Sequence, residues 1–454
     1  MNPDPTEIQG PIGTTRILLQ LGHTLTTKLL IGVGRTIFLL LAVRALATAD
    51  YGAYSLVTTT LTFALILFGL NANVYIYRAV PGSSEEAGRR ILISVAAFEL
   101  SLAAVVTIAA LSSGALGGFL DLLHAAAYER AFVLAIAWLL AELLDQELLS
   151  YLYARQQIER ANVLDLTKQV LWIPLPLIIW WTTGRLALDQ IVACALVGSV
   201  AGVVYGLIVA RPRLMWPDPS ILRRAITFAA PLVVPALGFY ALKLADRYLL
   251  SATRSLEETG VYALAANFAN LIYSLTALVI ANTLLPAATR ASNLGDIGER
   301  NRILWRILKY SVWTFLAGSL VFWAASGTIL VALARQEYAV AGALFPWVAC
   351  GFLAIIVSGP AHNALWLADR TRAILAIDVL STLTGVGIDL ALIPRYGGYG
   401  AAVATLCGFG FGAGVKFAVS GLWSEFDWRD LFSVRREIAG AWAVVRGVRR
   451  LAKP

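Results

Sequence analysis

The chain has 454 residues, of which 59% are hydrophobic and only 14% charged, with a mean hydropathy of +0.73. A soluble domain carries about 25% charged residues, so these are too few to cover a water-facing surface. The net charge of +8 and pI near 9.4 would suit a nucleic-acid binder, but the basic residues follow membrane topology instead of a patch, so no nucleic-acid partner is expected.

Residues 1–15 are polar and lack the basic and apolar blocks of a cleaved signal, so the first apolar run is expected to act as an uncleaved signal anchor. Crossing a bilayer takes about 20 apolar residues. Such runs occur at 24–46, 52–77, 90–112, 130–153, 163–183, 188–210, 226–251, 259–285, 307–333, 341–367, 372–394 and 398–422. In lipid every backbone polar group must be paired, so runs of this length are helices. Pro174, Pro176, Pro231, Pro235, Pro346 and Pro360 predict kinks or breaks within them. Gly408, Gly410, Gly412 and Gly414 in the last run predict close helix packing. Beyond it, 424–454 interleaves apolar residues with Arg429, Arg435, Arg436, Arg446, Arg449 and Arg450, a basic amphipathic pattern suited to an anionic membrane surface.

Charge asymmetry tests this assignment, because cytoplasmic loops are enriched in Lys and Arg. One alternating set of connections, with both ends and Lys28 and Lys168 counted in it, holds twenty-six of the Lys and Arg; the other holds six, Arg44, Arg130, Arg185, Arg254, Arg335 and Arg395. A wrong helix count would scramble that alternation. The predicted fold is therefore all-α and polytopic, with about twelve transmembrane helices and both termini cytoplasmic. The basic loop Arg211–Arg224 divides six runs from six, and Asp50–Leu56 resembles Thr259–Leu264. Two pseudo-symmetric six-helix bundles, 1–215 and 216–423, followed by the tail 424–454, are expected, with a substrate site between the bundles.

The three histidines, His23, His124 and His362, lack metal-ligand spacing, and Cys194, Cys350 and Cys407 are isolated in apolar runs. No metal, cofactor or catalytic triad is predicted, and the cysteines read as small core residues. The informative residues are charges within the membrane, each costing at least about 2.5–3.5 kcal/mol at its centre. The first run holds Arg35, and the seventh holds Lys243, Asp246 and Arg247. Lys243 and Arg247, four apart, share a helix face; Asp246 can neutralise one, and the remainder suits an anion such as phosphate. Internal salt bridges are the competing reading. Arg44 and Arg78, at run ends, either join that site or snorkel to the headgroups. Glu99, Glu142, Asp145, Glu147, Asp378 and Asp389 are counter-ions or sites for a coupling proton or sodium ion, with the Glu142, Asp145 and Glu147 cluster foremost. Tyr51, Tyr54, Tyr75, Tyr77, Trp172, Trp180 and Trp181 read as an interfacial belt.

Three stretches carry a family resemblance: Arg44–Leu56 with Phe68–Ala72, Ala245–Leu250 with Gly260–Ala265, and Ile393–Leu406 with its Pro394, Arg395, Tyr396, Gly397 and Gly398. They resemble the Wzx-type polysaccharide biosynthesis flippases of the multidrug/oligosaccharidyl-lipid/polysaccharide exporter superfamily. The resemblance implies a bacterial inner-membrane flippase with a cationic central cavity, for O-antigen lipopolysaccharide, capsule or exopolysaccharide assembly. The implied substrate is an oligosaccharide on polyprenyl pyrophosphate, and the implied partners are the bilayer and the polymerase and chain-length regulator of the same pathway. The family's cavity arginines would correspond to Arg35 and Arg247. The lipid II branch has more helices than the twelve here, which argues against a peptidoglycan precursor. The competing readings are an ion-coupled organic-cation antiporter of the same superfamily, whose cavity should be acidic; a membrane glycosyltransferase or polymerase, which should carry a larger loop; and a scaffold held by the basic tail.

Overall fold

All twelve apolar runs are helical. The computed structural model describes residues 14–212, 215–333 and 336–422, so the tail 424–454 lies outside the described residues. α1 (Thr14–Ala45) holds the first run. α2 (Thr48–Gly69) and α3 (Ala72–Ala79) share the second, and α4 (Glu85–Ser112) is the third. The short α5 (Ala115–Leu122) precedes α6 (Glu129–Ala154), the fourth. α7 (Ile158–Trp172) and α8 (Pro174–Thr183) form the fifth, and α9 (Leu188–Ala210) the sixth. α10 (Pro219–Leu244) continues into α11 (Asp246–Thr253), and α12 (Leu256–Leu275) into α13 (Ala277–Asn293). Last come α14 (Ile297–Leu333), α15 (Ala339–Leu367), α16 (Thr371–Tyr396) and α17 (Gly398–Ser420).

Among the described residues ten helical segments are long and apolar enough to cross a membrane; α1 and α6 hold the other two of the twelve apolar runs. α6 falls short by composition because Glu142, Asp145 and Glu147 interrupt it. Large apolar side chains are exposed on the flanks, among them Ile108 on α4, Val321 on α14 and Leu383 on α16. That is the surface a multi-pass membrane protein presents to lipid.

Four runs divide, the fifth at the predicted break of Pro174 and three where single continuous helices are expected. Leu70 and Asn71 both adopt left-handed backbone, with φ of 46° and 53°, and end α2 before α3 begins. Pro174 has no N–H to continue α7 and opens α8 instead. Ala245 and Thr276 mark the other two divisions. Local chemistry fixes the starts: Ser255 accepts from the Glu258 N–H at 3.2 Å, with Glu257 and Glu258 in the first turn of α12.

The two sets of six runs meet where α2 and α12 begin. A methyl group on Gly52 would stand 2.0 Å from the Leu256 carbonyl oxygen, and one on Gly260 would stand 2.1 Å from that of Thr48. The helices thus touch backbone to backbone, and Gly52 and Gly260 are the glycines shared by the two similar sequence stretches. Nearby, Tyr338 donates to the Ala47 carbonyl at 3.1 Å, Ser251 donates to the Leu123 carbonyl, and His124 Nδ1 lies 2.9 Å from the Ser251 oxygen. Toward the other end, α10 reaches the first set through Asn71, whose side chain donates to the Leu232 carbonyl at 3.1 Å, and through the Asp218 N–H, which donates to Ser94 Oγ at 2.9 Å.

The glycine stripe of α17 divides by face. Gly408 meets Gly385 and Leu242, and Gly412 meets Ser381, whereas Gly410 and Gly414 face open space. The cysteine expectation is corrected: Cys194 is buried, but Cys350 and Cys407 are exposed. A thiol is apolar enough to sit on a lipid-facing helix surface without cost. Lys168, counted with the loop charges, lies inside α7.

Gly52→Val should therefore part α2 from α12, and overpacking of this kind costs about 1–3 kcal/mol. Gly410→Ala meets no neighbour and should be neutral or stabilising by about 1 kcal/mol or less. Thermal unfolding in detergent measures both; an unchanged transition for Gly52→Val would show that this backbone contact does not hold the halves together.

Candidate functional site

The buried centre of the helix assembly is polar. Arg247, only 5% exposed, opens α11 after the break at Ala245. Its Nη2 donates to Asn267 Oδ1 at 3.0 Å, and its Nη1 lies 3.5 Å from Thr59 Oγ1. Asn267 in turn donates to the Tyr51 hydroxyl at 2.8 Å, and Tyr248 shares a 2.8 Å hydrogen bond with Thr60. The guanidinium is thus held by neutral groups from α2 and α12, and its Nε has no hydrogen-bond partner. No carboxylate of a described residue forms an ion pair with it.

Asp246 does not neutralise its neighbours by a salt bridge. Its carboxylate accepts the Arg247 backbone N–H at 2.8 Å and the Tyr262 hydroxyl. Lys243 and Arg247 part company because the helix divides between them. Lys243 donates to Asn270 Oδ1 at 2.8 Å and is ringed by Phe239, Tyr273 and Phe352, each with its centroid 5.5–5.7 Å from the ammonium. Asn267 and Asn270, three apart on α12, therefore each take one cation from the seventh run.

Arg35 lies exposed on α1 with no ion pair to a described residue. Gly32, three residues earlier on the same face, looks toward Leu275 of α12. Arg35 and Arg247 both lie within electrostatic range of the Tyr54 phenol. Arg78 is not part of this group: it stacks over Phe228 at 4.8 Å at the end of α3. At about 1.5 Å rise per residue, that is roughly 28 Å along the second run from Thr59. Arg44 lies in the last turn of α1, nine residues beyond Arg35.

The carboxylates sort into different roles. Glu142 and Asp145 of α6 pair with Lys168 of α7, the latter at 3.2 Å, and Ser199 of α9 donates to Glu142 at 2.8 Å. Trp138 completes this chain by donating to Ser199 at 3.1 Å. Asp378 pairs with Lys416 at 2.6 Å. Glu99 of α4 and Glu147 of α6 are 1% and 2% exposed, interact electrostatically with each other, and form no ion pair with a described residue. The foremost predicted cluster is thus a structural network in two of its members, while the third joins Glu99.

The aromatic reading is corrected at two positions. Tyr51 and Tyr54 are 0% and 9% exposed and line the junction between the two sets of helices, whereas Trp181, 87% exposed, fits an interfacial role. Sequence reasoning missed Asn267, Asn270, Tyr262 and Lys416. Two asparagines three apart within an apolar run were the available signal, since each needs partners in lipid.

Lys168 makes a prediction of its own. Lys168→Met would leave two buried carboxylates unanswered and should cost about 3–5 kcal/mol, read as loss of folded protein in detergent. Adding Glu142→Gln and Asp145→Asn should recover most of that stability; no recovery would contradict the ion-pair role.

This arrangement can be set beside known proteins. No curated protein matches the chain. Among solved structures, the chain is similar to the lipid II flippase MurJ in an inward closed conformation, with a TM-score of 0.72 and 14% identity over 91% of this chain and 89% of that one. It is also similar to an inward-facing multidrug resistance MATE family transporter of the MOP superfamily, with a TM-score of 0.69 and 14% identity over 87% and 95%. A MOP superfamily transporter from Pyrococcus furiosus, described for the reverse polarity of its binding pocket, follows with a TM-score of 0.57 and 12% identity over 89% and 93%. At these identities the likeness is one of fold. The sequence itself matches the model of the polysaccharide biosynthesis proteins over residues 21–292, more than half of the chain, and the protein belongs to that family.

Proposed function

We propose that this protein is a flippase that carries an oligosaccharide linked to polyprenyl pyrophosphate across the bacterial inner membrane. The observation that carries this reading is Arg247, a buried guanidinium held only by neutral partners. A cation in a membrane is retained when something anionic answers it; among the described residues none forms an ion pair with the guanidinium, and the neighbouring Asp246 is engaged by the Arg247 backbone N–H and the Tyr262 hydroxyl. Pyrophosphate suits the role because a guanidinium offers several donors in a plane. Arg35 supplies a second charge from the first bundle, near the same Tyr54. The mobile glycan would travel through the polar interior while the lipid tail stays in the bilayer.

The bundles 1–215 and 216–423 would rock about the contact of α2 with α12. Given the asymmetry of basic residues, the end where α2 and α12 begin is the outer one. The Gly52 and Gly260 crossing then closes the outer side, and loading occurs from the cytoplasm. Glu99 and Glu147 are the proposed coupling site. Both are buried acids with no ion pair to a described residue, and a proton taken up or released there would change the charge of the bundle. Tyr77 lies near Glu147 and Ser150. Lys168 keeps Glu142 and Asp145 out of this role, and Lys416 does the same for Asp378.

The reading is tested in proteoliposomes by quenching a fluorescent polyprenyl-pyrophosphate oligosaccharide from outside. Arg35→Ala should slow its movement about 10- to 100-fold without loss of folded protein, since one charge-assisted contact is worth about 1.5–3 kcal/mol. Arg35→Lys should retain part of the rate. Equal rates for wild type and Arg35→Ala would remove the pyrophosphate role. Export of an organic cation by wild type, with no lipid movement, would favour an antiporter.

Glu147→Gln should abolish acceleration by an imposed pH gradient while leaving slow, gradient-free movement in place. Retention of full pH-gradient acceleration in that variant would exclude the Glu99 and Glu147 pair as the coupling site.

A further inference from the structure

A cavity of about 380 Å³ lies within the second set of helices, between α10, α12, α15, α16 and α17. Arg247 does not line it, although Phe239 and Tyr273 of its wall also ring Lys243 and the Asp378–Lys416 pair described above lies in it. Its volume falls near the lower end of small-molecule sites, about 300–1,000 Å³, and equals the share of roughly a dozen waters at about 30 Å³ each. One or two six-membered sugar rings would fill it.

The chemistry of the walls is specific. Lys416 and Asp378 pair at 2.6 Å, with side chains 8% and 19% exposed, so their charges cancel and the cavity does not select an ion by charge. It offers directional hydrogen bonds instead. Ser381 and Thr382 spend their hydroxyl protons on the Ile377 and Gly238 carbonyls, at 2.7 and 3.0 Å, and keep lone pairs to accept with. Ser358 accepts from Lys416 at 3.4 Å and keeps its proton to donate. The His362 ring lines the cavity and makes no hydrogen bond with a described residue. Lys416 meets the Asp378 carboxylate at Oδ1.

The remaining wall is aromatic. Phe239 and Phe409 meet edge to face with centroids 5.8 Å apart, and both line the cavity. Gly359 opens it further: a methyl group there would meet nothing within 4 Å. Glycine in a helix costs about 1 kcal/mol relative to alanine, so the empty space is maintained at a position where filling it would stabilise the helix.

We infer that this cavity is a sugar subsite, which takes one ring of the carried glycan. Hydroxyl groups of the ring would meet Asp378, Ser381 and Thr382 as acceptors and His362, Ser358 and Lys416 as donors. The C–H face of the ring would lie on Phe239 and Phe409. A phosphate finds no uncompensated cation in the same place, because Lys416 is already paired with Asp378. The inference rests on the glycan-carrier reading and adds to it where the glycan is held.

The test uses two measurements on the full chain. In a protein with Cys194, Cys350 and Cys407 replaced by Ala, Gly359→Cys is labelled with a maleimide in detergent. Glucose, galactose and N-acetylglucosamine are the probes, with inorganic pyrophosphate as the comparison. Several-fold slower labelling with at least one of the sugars, and none with pyrophosphate, is expected. Protection by pyrophosphate, or by none of the sugars, would overturn the subsite. In the second measurement, Gly359→Leu fills the cavity and is assayed with two lipids, polyprenyl-pyrophosphate oligosaccharide and bare polyprenyl pyrophosphate. It should lose about tenfold in rate with the first lipid, equivalent to about 1.4 kcal/mol, and keep its rate with the second. Equal effects on both lipids would also overturn the subsite. Wild type that moves neither lipid counts against the flippase reading, and the labelling result then decides the cavity on its own.

Discussion

A guanidinium has no deprotonated form to retreat to at physiological pH, so one placed within a bilayer must find partners or an anion. Arg247 is the point at which this requirement shapes the fold. The helix of the seventh run divides immediately before it, α12 brings Asn267 to it, and α2 brings Thr59. Tyr51 then supports Asn267 from the first set of helices. The contact between the two sets is therefore organised around one cation that neutral groups orient and leave charged.

The same rule, with the opposite sign, sorts the acids. Glu142 and Asp145 are answered by Lys168 across α6 and α7, and Asp378 by Lys416 across α16 and α17. Such pairs cost desolvation and return Coulomb energy, so their net contribution to stability is small, while breaking one is expensive. They fix which helices lie side by side. Glu99 and Glu147 lie outside that pattern, because no cation of a described residue pairs with either of them.

The helices were legible because apolar length and the alternation of basic loops are one-dimensional signals. All twelve runs fall on helices, and α9 matches its expected bounds, 188–210. The divisions at Leu70, Ala245 and Thr276 were hidden, since no proline marks them. Pairing was also hidden: Lys168 reads as a loop charge until α7 is seen to begin at Ile158 and carry it inward. Tyr51 and Tyr54 resemble belt residues by their place near the start of a run, and only the packing of α2 on α12 shows them to be buried. Arg35, Lys243, Asp246 and Arg247 were found because any charge in an apolar run stands out. Their partners, being neutral asparagines and hydroxyls, do not.

The crossing of α2 and α12 at Gly52 and Gly260 has a mechanical meaning. Most helices lock together through ridges of side chains seated in grooves, which resist a change of angle. Where two backbones touch at glycines, there are no ridges to unseat, and the pair behaves as a knuckle. α2 is 22 residues long, or about 33 Å at 1.5 Å per residue. A tilt of roughly 10° about a pivot near one end carries the other end through about 5–6 Å on that lever arm. In the proposed rocking motion, small glycines at one edge of the membrane would give leverage at the other, so that a wide mouth would open with little surface lost at the joint.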